Sequence, residues 1–223
     1  MKLLLLLLFY ILIFFSARAQ TVSDADGNTY NTVVIGKQIW MKENLRTTKF
    51  ADGTPMENIL EPTNQGGYCD YNNNPDNSNL YGRLYNWFSI TKKIGICPAG
   101  FHVPSDSEWN ILAKFLDNSV DTTLIDFSGK LIGGIMKEKG NLSWKKTNKK
   151  VTNSSGFSAL PGGWRTNDGE YKSIGISGSW ITSTEEDISY VFIRALDADK
   201  IQIGRLTDSS ISMHSVRCVK ENK

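Results

Sequence analysis

The sequence contains few of the residues on which catalysis and metal binding most often depend: only two of its 223 residues are histidine and three are cysteine. It has no Gly-x-Ser-x-Gly, His-Glu-x-x-His or Gly-x-x-x-x-Gly-Lys motif, so the local signatures of serine hydrolases, zinc peptidases and P-loop nucleotide binding are missing. His102 and His214 stand far apart in the chain, and we expect each to pack or to hydrogen-bond locally. The sequence therefore assigns no catalytic residue, and we predict that the protein is not an enzyme.

An excess of charge of one sign is also missing. Lysine and arginine together number 25, aspartate and glutamate 23, and the basic residues are spread along the chain. A surface for nucleic acid or for an anionic membrane requires a basic cluster, so we expect neither partner. The apolar fraction of 40% and the charged fraction of 22% are typical of a chain that folds around one full core.

Long apolar runs are confined to the N-terminus. Residues 1–19 combine a lysine, an uninterrupted apolar stretch and two alanines at the small-residue spacing of a signal peptidase site. They predict a cleaved signal peptide, with an uncleaved anchor as the alternative, since the stretch is short for a membrane span. We expect residues 20–223 to form one exported domain without a membrane span, located in the medium, the periplasm or on the outer surface.

An exported chain meets oxidising conditions, so two of the three cysteines are expected to pair. Sequence alone allows three pairings. Cys97 follows a helical pattern and a glycine turn, and Cys218 lies in a strand-like C-terminal stretch; joining them closes a long loop, worth about 4–5 kcal/mol. We favour this pair and leave Cys69, in an Asn/Asp-rich segment, as the odd thiol. The alternative is that all three are small buried residues.

Two helices are predicted. Apolar residues recur at helical spacing in residues 80–93 and again in residues 106–117. The second helix has a clear start, because Ser105 and Glu108 have the spacing of a capping box. The Asn-, Gly-, Pro- and Asp-rich segment 61–79 is expected to be a surface loop.

Strands are predicted on both sides of the helices. Thr29–Ile35 and Gln38–Met41 should form a hairpin across Gly36 and Lys37. Later candidates are residues 157–160, 179–183, 190–195, 200–205 and 214–219. This order of elements predicts an α+β fold, with two helices packed on a twisted, loop-rich antiparallel sheet.

Aromatic residues in Gly- and Asn-rich turns are the best indication of a ligand surface. Trp144, Trp164, Trp180 and Tyr171 all have such neighbours. An aromatic ring offers an apolar face to sugar C–H groups, while amides and carboxylates bond the hydroxyls. The candidate binding residues are Trp164, Arg165, Asn167, Asp168, Tyr171 and Trp180. The alternative is that Trp164 and Trp180 fill the core.

Metal ligands are not indicated at any diagnostic spacing. The segment that begins at Asp24 starts like a calcium loop, but Ile35 stands where the closing glutamate is required, so we expect a turn. Oxygen-rich residues 70–79 leave calcium as an open option. A Cys97–His102 nucleophile pair would require Cys97 to be free, and no other cofactor is predicted.

Several blocks of the sequence together resemble one known family. They are DGNTY at 26–30, GKQIWMKENLRTT at 36–48, LYGRLYNW at 80–87, CPAGFHVPS at 97–105, GFSALPGG at 156–163, STE at 183–185 and SVRC at 215–218. In this order they resemble the Fibrobacter succinogenes major paralogous domain, across essentially all of residues 20–223. The resemblance implies an exported protein of the Bacteroidetes and Fibrobacteres type. It also implies a fold related to C-type lectins and to the formylglycine-generating enzymes.

The chain departs from both of those relatives at their functional residues. Calcium-dependent lectins carry Glu-Pro-Asn or Gln-Pro-Asp followed by Trp-Asn-Asp, whereas this chain has Glu61-Pro62-Thr63 and, separately, Trp164-Arg165-Thr166-Asn167. A copper-binding cysteine pair of the formylglycine-generating type cannot be placed. We therefore expect a non-catalytic module that binds a glycan or a surface protein. The alternatives are a metal-dependent enzyme of the formylglycine-generating type and a structural surface protein without a ligand.

Overall fold

A computed structural model describes residues 20–140, 143–145 and 150–221, so the predicted signal peptide at residues 1–19 lies outside the described residues. The strands are β1 (Thr21–Ser23), β2 (Thr29–Ile35), β3 (Gln38–Met41), β4 (Glu57–Asn58), β5 (Gly67–Cys69), β6 (Leu84–Tyr85), β7 (Phe127–Ser128), β8 (Trp164–Arg165), β9 (Tyr171–Lys172), β10 (Ser177–Glu185), β11 (Tyr190–Asp197), β12 (Ile203–Ser209), β13 (His214–Ser215) and β14 (Val219–Glu221). The helices are α1 (Pro75–Tyr81), α2 (Trp87–Ile90), α3 (Asp106–Leu116) and α4 (Ile132–Met136), with a 3-10 turn at Tyr71–Asn73. Among the described residues, no helix has the length and apolar character needed to cross a membrane.

The strands form two principal sheets and a small hairpin. The larger sheet has the order β4-β5-β6-β13-β10-β11-β12-β7, with the long antiparallel strands β10, β11 and β12 at its centre. The smaller sheet has the order β1-β2-β3-β14, and β8 forms a two-stranded hairpin with β9 and an isolated bridge from Arg165 to Met213. This mixture of mainly antiparallel sheets and short helices confirms the predicted α+β class.

The N-terminal hairpin and helix α3 occupy the positions predicted for them. Both hairpin strands have the predicted bounds, and Gly36 takes a φ of 60° at their turn. At the start of α3, the Glu108 backbone N–H donates to the Ser105 hydroxyl, and the Ser105 N–H donates to the Glu108 carboxylate. The capping box is confirmed, and α3 buries Trp109 and Leu112 against the sheets.

The predicted helix at residues 80–93 is wrong. Helix α1 ends at Tyr81 because Gly82 takes a φ of 83°, and a Cβ added there would lie 2.5 Å from the Asn44 Cβ. The next residues form β6, which pairs with both β5 and β13, and Asn86 then caps the short helix α2. The apolar spacing is helical, but pairing on both sides of β6 outweighs the local preference.

The polar segment 61–79 is not the simple surface loop that was predicted. It contains β5, the 3-10 turn and most of α1, whose first turn begins with Asn74 as N-cap and Pro75 inside it. Cys69 lies in β5 and is fully buried, and this burial raises the pKa of its thiol to about 11. Cys69 therefore stays protonated at neutral pH and is unreactive.

The C-terminal strand predictions are partly correct. Strands β10, β11 and β12 confirm three of them with shifted bounds. Residues 157–160 form no strand, since Ala159 makes only an isolated bridge to Lys137. Residues 214–219 split into β13 and β14, which belong to different sheets, because Arg217 between them turns into the interior.

Four aromatic rings form the centre of the core. Trp40, Trp109, Phe157 and Trp180 are almost fully buried, and their contacting ring centroids lie 4.9 to 6.2 Å apart. The Trp180 indole N–H donates to the Asn44 side-chain oxygen at 2.9 Å. Such rings stabilise the fold through the apolar area that they bury and through the preferred tilted orientation of neighbouring rings.

A disulfide joins Cys97 to Cys218 across a sequence separation of 121, as predicted. It connects the turn before α3 to the residue before β14, and the backbones of His102 and Val219 bond to each other beside it. A bond that closes so long a loop removes many conformations from the unfolded chain.

We expect the double variant Cys97→Ala/Cys218→Ala to lose about 4 kcal/mol of unfolding free energy, because the loop is no longer closed in the unfolded state. Urea unfolding at neutral pH measures the loss. A thiol reductant should bring the wild type close to the variant and leave the variant unchanged. Equal stability of the two oxidised proteins would contradict the prediction.

Asp117 fixes the end of α3. Its carboxylate accepts the backbone N–H groups of Lys130 and Leu131, both at 2.7 Å, and the backbone N–H of Ser119 at 3.0 Å. Burial acts to raise the pKa of Asp117, but these hydrogen bonds and that of the Ser119 hydroxyl outweigh it and lower the pKa to about 2.

Because the folded-state pKa of Asp117 lies below its unfolded value, the charged carboxylate stabilises the fold above about pH 4, and the contribution is lost as pH falls toward 2. We expect Asp117→Asn to lower the unfolding free energy at pH 6, and the gap to the wild type to narrow below pH 4. Urea titrations across this range test it, with Glu186→Gln at an exposed position as control. A gap that is constant with pH would contradict it.

Candidate functional site

A cleft of about 360 Å³ lies on the face of β10, β11 and β12 that is turned away from α3. Its apolar floor is formed by Ile193, Ala195 and Leu206, its walls by Phe127 and Trp164, and its polar groups by Ser177, Ser179, Asp197, Thr207 and Asp208. Strand pairing places Ser177 opposite Asp197 and Ser179 opposite Ala195. The volume lies within the range of small-ligand sites, and the mixture of apolar floor and few polar groups is typical of them.

Trp164 reaches the cleft because the β8–β9 hairpin lies against the start of β10. The Gly163 N–H donates to the Ser177 carbonyl at 2.8 Å, and Gly163 has a φ of 65°. A Cβ at Gly163 would overlap the carbonyl oxygen of Lys172, so only glycine permits this approach. The half-buried indole is therefore held in place at the edge of the cleft.

Arg165 anchors this hairpin instead of facing a ligand. Its side chain is 3% exposed, and its guanidinium donates to the carbonyls of Ile59 at 3.0 Å, Leu60 at 2.5 Å and Gly169 at 3.2 Å. The guanidinium thus ties the hairpin to the chain before β5. Arg165 therefore holds the wall of the cleft in place but offers no accessible charge to a ligand.

The remaining predicted binding residues do not share one surface with Trp164. Asn167 and Asp168 are exposed at the tip of the hairpin, while the Tyr171 hydroxyl donates to the Asn73 side chain at 2.9 Å. Trp180 is 1% exposed inside the core, so its expected exposure is wrong. Trp144 is buried as well. Glycine-rich neighbours did not distinguish a ring on a surface from a ring under a close-packed turn.

Three side chains that the sequence did not connect meet beneath the cleft. The Ser179 hydroxyl lies 2.8 Å from His214 Nδ1, and His214 Nε2 lies 3.1 Å from an Asp208 carboxylate oxygen. This second contact is close, but its geometry is not that of a hydrogen bond. His214 is fully buried, and both its neighbours line the cleft.

The pairing of strands explains how these residues meet. Strand β13 runs parallel to β10 with Ser215 opposite Trp180, which brings His214 beside Ser179. Asp208 comes from β12, on the far side of β11. Nothing in the sequence indicates this, because the contact depends on a parallel pairing of distant segments.

Hydrogen bonds hold Asp208 in its charged form. Its carboxylate accepts the Ser209 backbone N–H at 2.7 Å and the Ser212 hydroxyl at 3.1 Å. Burial acts to raise the pKa of Asp208, but the His214 ring and these donors outweigh it and hold the pKa below its ordinary value. A carboxylate therefore faces the buried imidazole at neutral pH.

The suspected calcium turn is occupied by its own hydrogen bonds. The Asp24 carboxylate accepts the N–H groups of Asp26 and Asn28, both at 3.0 Å, and the Tyr30 hydroxyl at 2.5 Å. In the parts of the chain that the structure describes, no three His, Cys, Asp or Glu side chains group as metal ligands. The geometry at Asp24 is that of the turn expected from the sequence.

The Fibrobacter succinogenes major domain matches this chain over residues 33–220. The chain belongs to this family. The matched range of the family domain includes the cleft, the disulfide and helix α3, and it confirms the resemblance drawn from the sequence blocks. The comparison with curated proteins gives no match, and the comparison with solved structures gives none either.

We expect Arg165→Ala to lower the unfolding free energy by about 2–4 kcal/mol, because three backbone carbonyls lose the hydrogen bonds of a buried guanidinium. Thermal and urea unfolding measure the change. Asn167→Ala, at the exposed tip two residues away, is the matched control and should stay within about 0.5 kcal/mol of the wild type. Equal effects of the two substitutions would contradict the anchoring role.

Proposed function

We propose that this protein is an exported binding module, and that it takes a sugar ring of a glycan into the cleft beside Trp164. The observation that supports this most is the indole wall next to strand residues with hydroxyl and carboxylate groups. The apolar face of a sugar packs on an aromatic ring, while its hydroxyls require donors and acceptors at the rim. Trp164 supplies the ring, and Ser177 and Asp197 supply polar groups.

The shape of the cleft also favours a small rigid ligand. Ile193, Ala195 and Leu206 give a flat apolar floor because they lie on paired, central strands. The wall is equally fixed, since Arg165 and Gly163 hold the hairpin that carries Trp164. A site that is already ordered loses little conformational entropy when it binds.

Export is part of the proposal and is supported by two features. Residues 1–19 have the pattern of a signal peptide, and the Cys97–Cys218 disulfide is of a kind that persists in oxidising compartments. We propose a location in the medium, the periplasm or on the outer surface. A glycan or a surface protein would be the partner, and nucleic acid would not.

Kinship with the C-type-lectin-like fold, which the sequence resemblance implies, is part of this proposal, and no step of glycan binding in the cleft requires catalysis. The alternative of a copper enzyme of the formylglycine-generating type needs a pair of free cysteines. Cys97 and Cys218 are bonded to each other, and Cys69 is buried with a raised pKa. These facts favour the binding module over copper–cysteine chemistry.

The test is a glycan array with mature protein, residues 20–223, followed by calorimetry on the retained glycans. Trp164→Ala should weaken binding about tenfold or more, because a stacking ring and its buried area are lost. Tyr190→Ala is the matched control, since it removes a 48% exposed ring that does not line the cleft. Retention of no glycan above background, or equal loss in both variants, would contradict the proposal.

A further inference from the structure

We propose that Ser179, His214 and Asp208 form an acyl-transfer site in the cleft, with Ser179 as the nucleophile and a carboxylic ester, such as an O-acylated sugar, as the ligand class. The inference uses the same cleft as the proposed function, but it does not require that the cleft bind glycans. It concerns a chemical activity that the binding proposal leaves out.

The positions of the three side chains are those that activation of a serine requires. With the imidazole proton on Nε2, next to Asp208, the free Nδ1 accepts the Ser179 hydroxyl at 2.8 Å. The negative charge of the Asp208 carboxylate favours a proton on the ring nitrogen that faces it and stabilises the imidazolium that forms during attack, with the two ring nitrogens in exchanged roles relative to the serine protease triad. The misaligned contact of 3.1 Å between His214 and Asp208 is compatible with a free enzyme, in which such bonds often tighten only when substrate is bound.

The surroundings make this set more than a polar bridge between strands. His214 is removed from solvent and Ser179 is only 2% exposed, but Ser179 lies in the wall of a cleft that the more exposed Asp208 side chain also borders. Asp208 is held by Ser209 and Ser212, so the group that orients the histidine is itself oriented. A nucleophile, a base and an orienting carboxylate that converge on a cleft are the marks of a covalent catalytic site.

The reaction balances with water as the second reactant. The Ser179 oxygen bonds to the ester carbonyl carbon while its proton passes to His214 Nδ1. The intermediate then breaks the bond to the alcohol oxygen, which leaves with that proton, and the acyl group stays on Ser179. Water next attacks the acyl carbon, and His214 takes a proton from it. The bond from the acyl carbon to the Ser179 oxygen then breaks, this oxygen receives the proton from His214, and the carboxylic acid is released.

The donors available to the developing oxyanion set the expected rate. The Ser177 hydroxyl and the Trp164 indole border the same cleft. They are side chains, whereas efficient hydrolases use fixed donors worth about 10²–10³ in rate each. We therefore expect slow turnover, and covalent labelling of Ser179 is the sharper measurement.

The experiment treats folded mature protein with a fluorophosphonate probe, which loses fluoride to an activated serine, and maps the label by mass spectrometry. Ser179 should be labelled about 100-fold or more faster than in heat-unfolded protein, because only the folded chain supplies the base. Ser183→Ala, an exposed serine on the same strand and outside the cleft, should keep the label, and Asp208→Asn should slow it about 100-fold or more. Slow hydrolysis of p-nitrophenyl acetate should be retained by the control variant and lowered in Asp208→Asn and in the unfolded protein.

The wild-type result decides the matter even if a variant fails to fold. No label on Ser179 in the folded protein, or a label on Ser177 instead, would overturn the proposal. Labelling that Asp208→Asn leaves unchanged in a protein with wild-type circular dichroism would also overturn it. Because the probe carries no sugar, this result is independent of whether Trp164 binds a glycan.

Discussion

A guanidinium buried at the centre of the molecule, that of Arg217, joins the parts of the chain on which the structure depends. It donates to the carbonyls of Met41, Lys42 and Phe157 and to the side-chain oxygen of Asn44, which links the first sheet, the core and the C-terminal segment. Burial lowers the pKa of Arg217 to about 9, so it remains charged at neutral pH. A buried charge tolerates no missing partner, and all these segments are therefore fixed together.

Two further arginines determine which residues of the large sheet face α3 and which face the cleft. Arg194 and Arg205, from neighbouring strands, contact the Asp106 carboxylate in the first turn of α3 at 2.8 and 3.1 Å. Because side chains alternate along a strand, residues next to these arginines must point to the opposite face. There they form the floor of the cleft, so the ion pairs on one face of the sheet determine which residues line the cleft on the other.

The sequence predicted what depends on local patterns. The hairpin around Gly36 and the capping box of Ser105 and Glu108 are set by neighbours a few residues away, and both are confirmed. The helix through Gly82 failed because pairing with distant strands decided its conformation. Trp164 was identified among the candidate residues, but His214 was not, since its partners come from strands that are separate in the chain.

The pairing of β14 with β3 also has a consequence for how the chain folds. Val219 lies opposite Trp40, so the first sheet cannot be completed until a segment almost at the C-terminal end of the sequence has been made. Contacts between such distant segments slow folding, because much loop entropy is lost before they form. Completion of the first sheet therefore depends on a pairing between its N-terminal strands and a strand that follows the large sheet in the chain.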